Sequence, residues 1–239
     1  MSPMLNRCAA LCLFSILAAC GGGGGGDAPA PAPSLSVPLA TAVANFVNRT
    51  QSSPVTVNGS ITSGGQTFTL GGSGTLSEST SSSTFEGQAA LRKNSTMTGT
   101  LTANGQSAPM SDTSQMYFDT NYRPLGDTSD TSYCVVTSAT PIPVTAKAGD
   151  NGPWYTETCY TNGSKSVSAG TGSISYAVEP DTASTVILKI IAQTSVATGV
   201  TLPVTSIFRV DTSGQITRLQ DLASFALAGE AFTLTVTYR

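Results

Sequence analysis

From Val55 onward the apolar residues recur at every second position, and the positions between them are filled mostly by threonine and serine. Val55 and Val57 flank Thr56, and Phe68 and Leu70 flank Thr69. Met97, Gly99 and Leu101 alternate with Thr96, Thr98, Thr100 and Thr102, and Phe232, Leu234, Val236 and Tyr238 alternate with Thr233, Thr235 and Thr237. A period of two sends alternate side chains to opposite faces of a pleated strand, so the pattern predicts antiparallel strands with one apolar and one hydroxyl face. It also explains a composition of 31 Ser and 35 Thr in 239 residues with only 10% charged. Threonine suits this role because its β-branched side chain packs on a pleated surface.

The turn residues agree. Asn104-Gly105 and Asn162-Gly163 are hairpin signals, Asp211 to Gly214 reads as a longer turn, and Pro180-Asp181 as a corner. Leu39, Val43, Phe46 and Val47 instead share one face of a short helix that Pro38 can start and that Pro54 must follow. A second short helix is expected near Asp221 to Ala228, and Val186 to Ala192 reads as a central strand. Serial hairpins exclude a doubly wound α/β sheet. The expected fold is mainly β: an antiparallel meander of about 10 to 12 strands forming a strongly curved sheet or half-barrel, with a short N-terminal helix. A β-sandwich is the alternative.

Ahead of this domain, Arg7 precedes an apolar run from Cys8 to Leu17 that is too short to span a bilayer, which needs about 20 residues. Leu17-Ala18-Ala19-Cys20 then resembles the lipobox of bacterial lipoproteins. The resemblance implies cleavage before Cys20, a diacylglyceryl group on its sulfur and acylation of the new amino end. Two or more acyl chains anchor stably where one binds reversibly. Residue Gly21, in place of the aspartate that marks inner-membrane retention in that family, implies the outer membrane. The chain thus divides into a signal peptide over 1–19, a Gly and Ala-Pro tether over 20–37, and one β-rich domain over 38–239. The order of helix then meander is similar to the half-barrels of periplasmic lipoprotein carriers and mycobacterial lipoproteins, which hold acyl chains; this is an analogy of fold alone.

Histidine is absent, which removes the Ser-His-Asp triad, the Cys-His pair and histidine-bearing zinc sites. A net charge of −3 with 11 scattered basic residues excludes a nucleic-acid partner. Of five cysteines, Cys8 and Cys12 leave with the signal and Cys20 takes lipid, so Cys134 and Cys159 are expected to form a disulfide in an exported compartment. Two thiols alone leave a zinc shell half empty, so neither a metal site nor another cofactor is expected.

Half of the aromatics lie between Tyr117 and Tyr176, and Trp154, Tyr155, Tyr133 and Tyr122 are the candidate ligand-binding residues. Asp119, Asn121, Asp127 and Asp130 could offer oxygens to calcium, but they lack EF-hand spacing and serve equally as turn residues. No pair among Glu78, Glu86, Glu157, Glu179 and Glu230 is singled out for hydrolysis, and Glu86 and Glu157 read as solvent-face strand residues. The expected function is non-enzymatic, with no catalytic residue assigned: an outer-membrane-anchored envelope binding or structural module whose partner is the membrane, through Cys20, and an envelope protein or hydrophobic ligand. The alternatives are a carrier or sensor of a hydrophobic ligand in a half-barrel cavity, a carboxylate-dependent hydrolase, and a transmembrane barrel.

Overall fold

The computed structural model describes residues 35–103, 105–196, 200–227 and 230–239; the lipobox, most of the tether and Asn104 lie outside them. Strand β1 (Ser36–Val37) leads into helix α1 (Leu39–Asn48). There follow β2 (Gln51–Ser63), β3 (Gln66–Phe85), β4 (Gln88–Ala103), β5 (Gln106–Phe118), β6 (Pro124–Ser129), β7 (Tyr133–Ala139) and β8 (Ala146–Lys147). The chain ends with β9 (Asn151–Tyr160), β10 (Ser168–Pro180), β11 (Thr185–Val196), β12 (Thr201–Asp211), β13 (Ile216–Leu227) and β14 (Glu230–Tyr238). The mainly β, antiparallel character and the short N-terminal helix are as the periodicity predicts.

The sheet does not stay open. Twelve strands close into a barrel, in which β14 pairs with β2 and β7 skips β8 to pair with β9. The closing register sets Val236 beside Val57, Thr235 beside Asn58 and Thr233 beside Ser60, so both strands present the same alternation to the same faces. Closure removes the unpaired backbone groups that an open curved sheet would leave at its two edges. Tight curvature is available because Gly74 and Gly99 face each other across β3 and β4. A Cβ on Gly74 would stand 2.2 Å from the Thr98 carbonyl oxygen, so only a residue without a side chain allows this approach. The expected second helix is β13 instead, where Asp221, Ala223 and Phe225 share the inward face and Leu222, Ser224 and Ala226 face out.

The outward face carries the hydroxyls. Ser60 and Thr233 approach to 2.9 Å across the closing seam, Thr62 and Thr67 to 3.0 Å, and Thr102 and Ser107 to 2.8 Å. Among the described residues no helix is long and apolar enough to cross a membrane.

Helix α1 plugs one end of the barrel. Leu39, Ala42, Val43 and Val47 are buried, and each of the larger three contributes roughly 1.5–3 kcal/mol by leaving water. Leu39 and Ala42 pack with Tyr176, Val178, Val186, Leu188, Phe208 and Val210, whereas Val43 and Val47 pack with Phe118, Trp154, Tyr155 and Ile174. The Asn45 side-chain amide donates to the Gly214 carbonyl at 2.8 Å, which ties the plug to the turn between β12 and β13. Pairing of β1 with β8, Val37 beside Ala146, clasps the segment before the helix over the same end. Toward the opposite end, Val55, Val57, Leu76 and Val236 form a separate core. Gly59, Ile61, Phe68 and Leu70 continue the inward positions there and are only half-buried, so the interior opens at that end.

Candidate functional site

Beneath the plug lies an internal cavity of about 220 Å³. Val43 and Phe46 of α1 form its roof, and Leu76, Met97, Met116, Trp154, Leu188, Ile190, Phe208 and Ile216 form most of its wall. Phe46 meets Phe208 edge-on with ring centroids 5.5 Å apart, which fixes the roof against the wall. Polar groups enter from one side only in force: Arg218, Asp221 and Tyr238, with Asp112 and three serines on the remainder. A chamber that is mostly apolar with a few convergent polar groups has the character of a ligand site, and this volume suits a slender apolar group.

The polar side belongs to a buried ion cluster. Glu78, whose side chain is fully buried, takes Arg49 Nη2 at 2.6 Å, Lys93 Nζ at 3.7 Å and Arg218 Nη1 at 3.9 Å. Lys93 also donates to the Arg49 carbonyl at 2.9 Å, and Arg49 Nη1 to the Ile216 carbonyl at 3.1 Å. Arg49 follows directly on α1, so the cluster pins the plug to β3, β4 and β13 at once. Arg218 donates to Asp221 through Nε at 3.2 Å and Nη2 at 2.7 Å and lies between the Phe208 and Tyr238 rings. The Tyr238 hydroxyl donates to the same Asp221 carboxylate.

Burial pulls the Lys93 ammonium down to about 8, against the opposing attraction of Glu78. Burial likewise pushes the Tyr238 phenol up. Three cations thus converge on one fully buried carboxylate, and Arg218 is the one that also faces the cavity.

The four aromatic candidates do not form one site. Trp154 lines the cavity and also a cleft of about 390 Å³ beside the start of α1, which Tyr122 shares. Tyr122 has a φ of 61° and its hydroxyl accepts from Asn48 at 2.9 Å. Tyr155 is buried in the core against α1, and burial pushes its phenol well up. Both Trp154 and Tyr155 turn inward because the register slips between Ile174 and Ser175, leaving Trp154 as the extra residue of a bulge. Tyr133 lies apart, on the outside of the barrel, where Phe85 stacks between it and Tyr117 and its hydroxyl donates to Glu86 at 2.6 Å.

Cys134 and Cys159 form the expected disulfide, joining β7 to β9 as directly paired residues. Glu157 is not on the solvent face: it has the same parity as Cys159 and is only 7% exposed. Asp127 pairs with Cys134 in register, which brings its carboxyl to Glu157. Burial and the neighbouring Asp127 carboxyl raise Glu157 to about 8, and burial raises Asp127.

The other candidate carboxylates scatter. Glu86 pairs with Lys165, Glu179 with Lys189, and Glu230 accepts from Ser63. Asp119 caps its own turn by accepting from the backbone of Asn121 and Arg123, and among the described residues Asp119, Asp127 and Asp130 form no close ligand cluster. Sequence reasoning passed over the ion cluster, although the signal was present: Glu78, Lys93 and Arg218 each stand two residues from an apolar inward residue, Leu76, Leu91 and Ile216.

Comparison with protein-family models, with curated proteins and with solved structures finds no match to this chain. The functional reading therefore rests on the barrel and its interior.

Proposed function

We propose that this chain is a non-enzymatic binding module held at the outer membrane by lipid on Cys20, and that its barrel takes the apolar part of a small envelope ligand. The observation that carries the reading is the chamber under α1, apolar on most of its wall and bounded on one side by Arg218, Asp221 and Tyr238. A purely structural domain of this size would fill such space with side chains, because cores pack at the density of organic crystals. The half-buried apolar residues toward the open end give an apolar ligand a path that avoids the plug. The lipobox resemblance and the tether support attachment, since roughly 17 flexible and stiffened residues hold a domain tens of ångströms from a bilayer.

The test is native mass spectrometry of the full chain carrying Cys20→Ser, purified without detergent. A bound apolar species of defined mass, lost after organic extraction and regained on adding the extract back, is the expected result. A chain that emerges empty and takes up nothing from an envelope lipid extract contradicts the reading.

A further inference from the structure

The inner wall beside the disulfide holds a second set of groups that the cavity does not use. Asp127 on β6, Cys134 on β7 and Cys159 on β9 are successive partners across three strands, and paired residues point to the same face. Glu157 stands two residues before Cys159 and so joins them one pleat away. One donor atom from each of Cys134, Glu157 and Cys159 lies within 4.8 Å of the others, and all three residues are buried. Glu157 Oε2 has no hydrogen-bond partner there, and among the described residues neither Asp127 nor Glu157 enters an ion pair with Lys or Arg. On the facing strand β10, Gly172 leaves the space in which the Glu157 carboxylate sits: a Cβ would stand 2.5 Å from Oε1. A buried, unpartnered carboxylate aimed at two sulfurs is costly unless a cation or proton answers it.

We propose that reduction of the Cys134–Cys159 disulfide opens a site for one Zn²⁺, with both thiolates and Glu157 as its protein donors and water in the fourth position. Two thiols alone leave half of a tetrahedral shell empty; Glu157 supplies a third donor, and water completes four-coordination. A dithiol reductant passes two electrons and two protons to the disulfide, becoming a disulfide itself and leaving two cysteine thiols. Zn²⁺ then displaces both thiol protons, and any proton that Glu157 carries, to solvent.

With Zn–S bonds of about 2.3 Å the sulfurs move apart to about 3.8 Å, a change that side-chain rotation at two adjacent strand positions accommodates. Access is by local opening, because β6 and β7 share only three ladder pairs and Cys159 lies next to the end of β9. A disulfide oxidant that takes two electrons back re-forms the Cys134–Cys159 bond and expels the metal, so the site couples metal retention to the dithiol/disulfide balance of its surroundings.

The test uses the full chain with Cys8, Cys12 and Cys20 replaced by serine, so that Cys134 and Cys159 are the remaining thiols. The chain is reduced anaerobically, freed of reductant, and titrated with Co²⁺ as a spectroscopic probe and then with Zn²⁺. The expected result is one equivalent of Co²⁺ with the thiolate charge-transfer band and the visible spectrum of a tetrahedral ion, displaced by Zn²⁺, and no binding before reduction. Glu157→Gln should weaken Co²⁺ at least tenfold while leaving the thiols intact and the Trp154 emission that of the folded chain. A reduced chain without the charge-transfer band overturns the proposal. So does a carboxamide variant that binds as tightly as its parent, since two thiols would then suffice.

Discussion

Replacing Glu78 by Gln keeps the shape of a fully buried side chain and removes its charge. The carboxylate stands 2.6 Å from Arg49, 3.7 Å from Lys93 and 3.9 Å from Arg218. At an effective dielectric of about 20 these attractions come to about 6, 4 and 4 kcal/mol before desolvation is counted. Desolvation of the ions offsets most of that sum, and removing one partner of a buried ion pair costs about 3–5 kcal/mol net. For a domain of about 200 residues each kcal/mol lowers Tm by roughly 2–4 °C, so Glu78→Gln should lower it by roughly 6–20 °C.

Urea unfolding followed by emission from Trp154, the only tryptophan, measures the change directly. Adding Lys93→Met should recover part of the loss, because the double variant leaves one buried cation fewer without a partner. A loss below about 1 kcal/mol for Glu78→Gln would refute the argument, since the cluster would then be solvated and could not pin the plug.

Further outcomes follow from the same structure. Lys93 is held at about 8 against a usual 10.5, so the folded state binds fewer protons than the unfolded state between those values. Its contribution to stability is then fully present above about 10.5 and lost as pH falls through about 8, at a slope of up to about 1.4 kcal/mol per pH unit that Lys93→Met should abolish. Removing the Cys134–Cys159 bridge, which spans a sequence separation of 25, should cost about 3.5 kcal/mol in urea unfolding of the Cys134→Ala, Cys159→Ala chain. Alkylation of the denatured, unreduced protein should leave both cysteines unlabelled, and labelling of both would disprove the bridge. Cys20→Ser should move the protein from the membrane to the soluble fraction on cell fractionation; unchanged partition would refute lipid anchoring.

The strands and their faces were legible from period two, because alternation is a local property of the chain. Closure was not, because it rests on β2 recognising β14 across nearly the whole domain, and no local signal distinguishes a seam from two edges. Residues 221–228 read as helical from their Leu and Ala content, yet pairing with β12 and β14 overrides that preference. The disulfide followed from counting cysteines and subtracting those consumed by processing. Glu78, Lys93 and Arg218 carried a readable parity, but a charge within a strand is ordinarily a solvated residue, and only their meeting from three strands, with Arg49 from the end of α1, makes a cluster. The meeting of Asp127 with Glu157 depends on the register of β6, β7 and β9 together, which single-strand patterning does not contain.

Occupancy of the chamber is tested most directly at its own wall, where the single tryptophan stands among Met97, Met116, Ile190 and Phe208. Titration of the full chain carrying Cys20→Ser with a nitroxide-labelled fatty acid should quench Trp154 emission saturably at one equivalent. Unlabelled fatty acid should reverse the quench, and Met97→Trp would obscure the signal, so Ser206→Leu is the variant to fill the chamber and abolish it. Quenching that rises linearly without saturation, or that persists unchanged in Ser206→Leu, would contradict a ligand site inside the barrel.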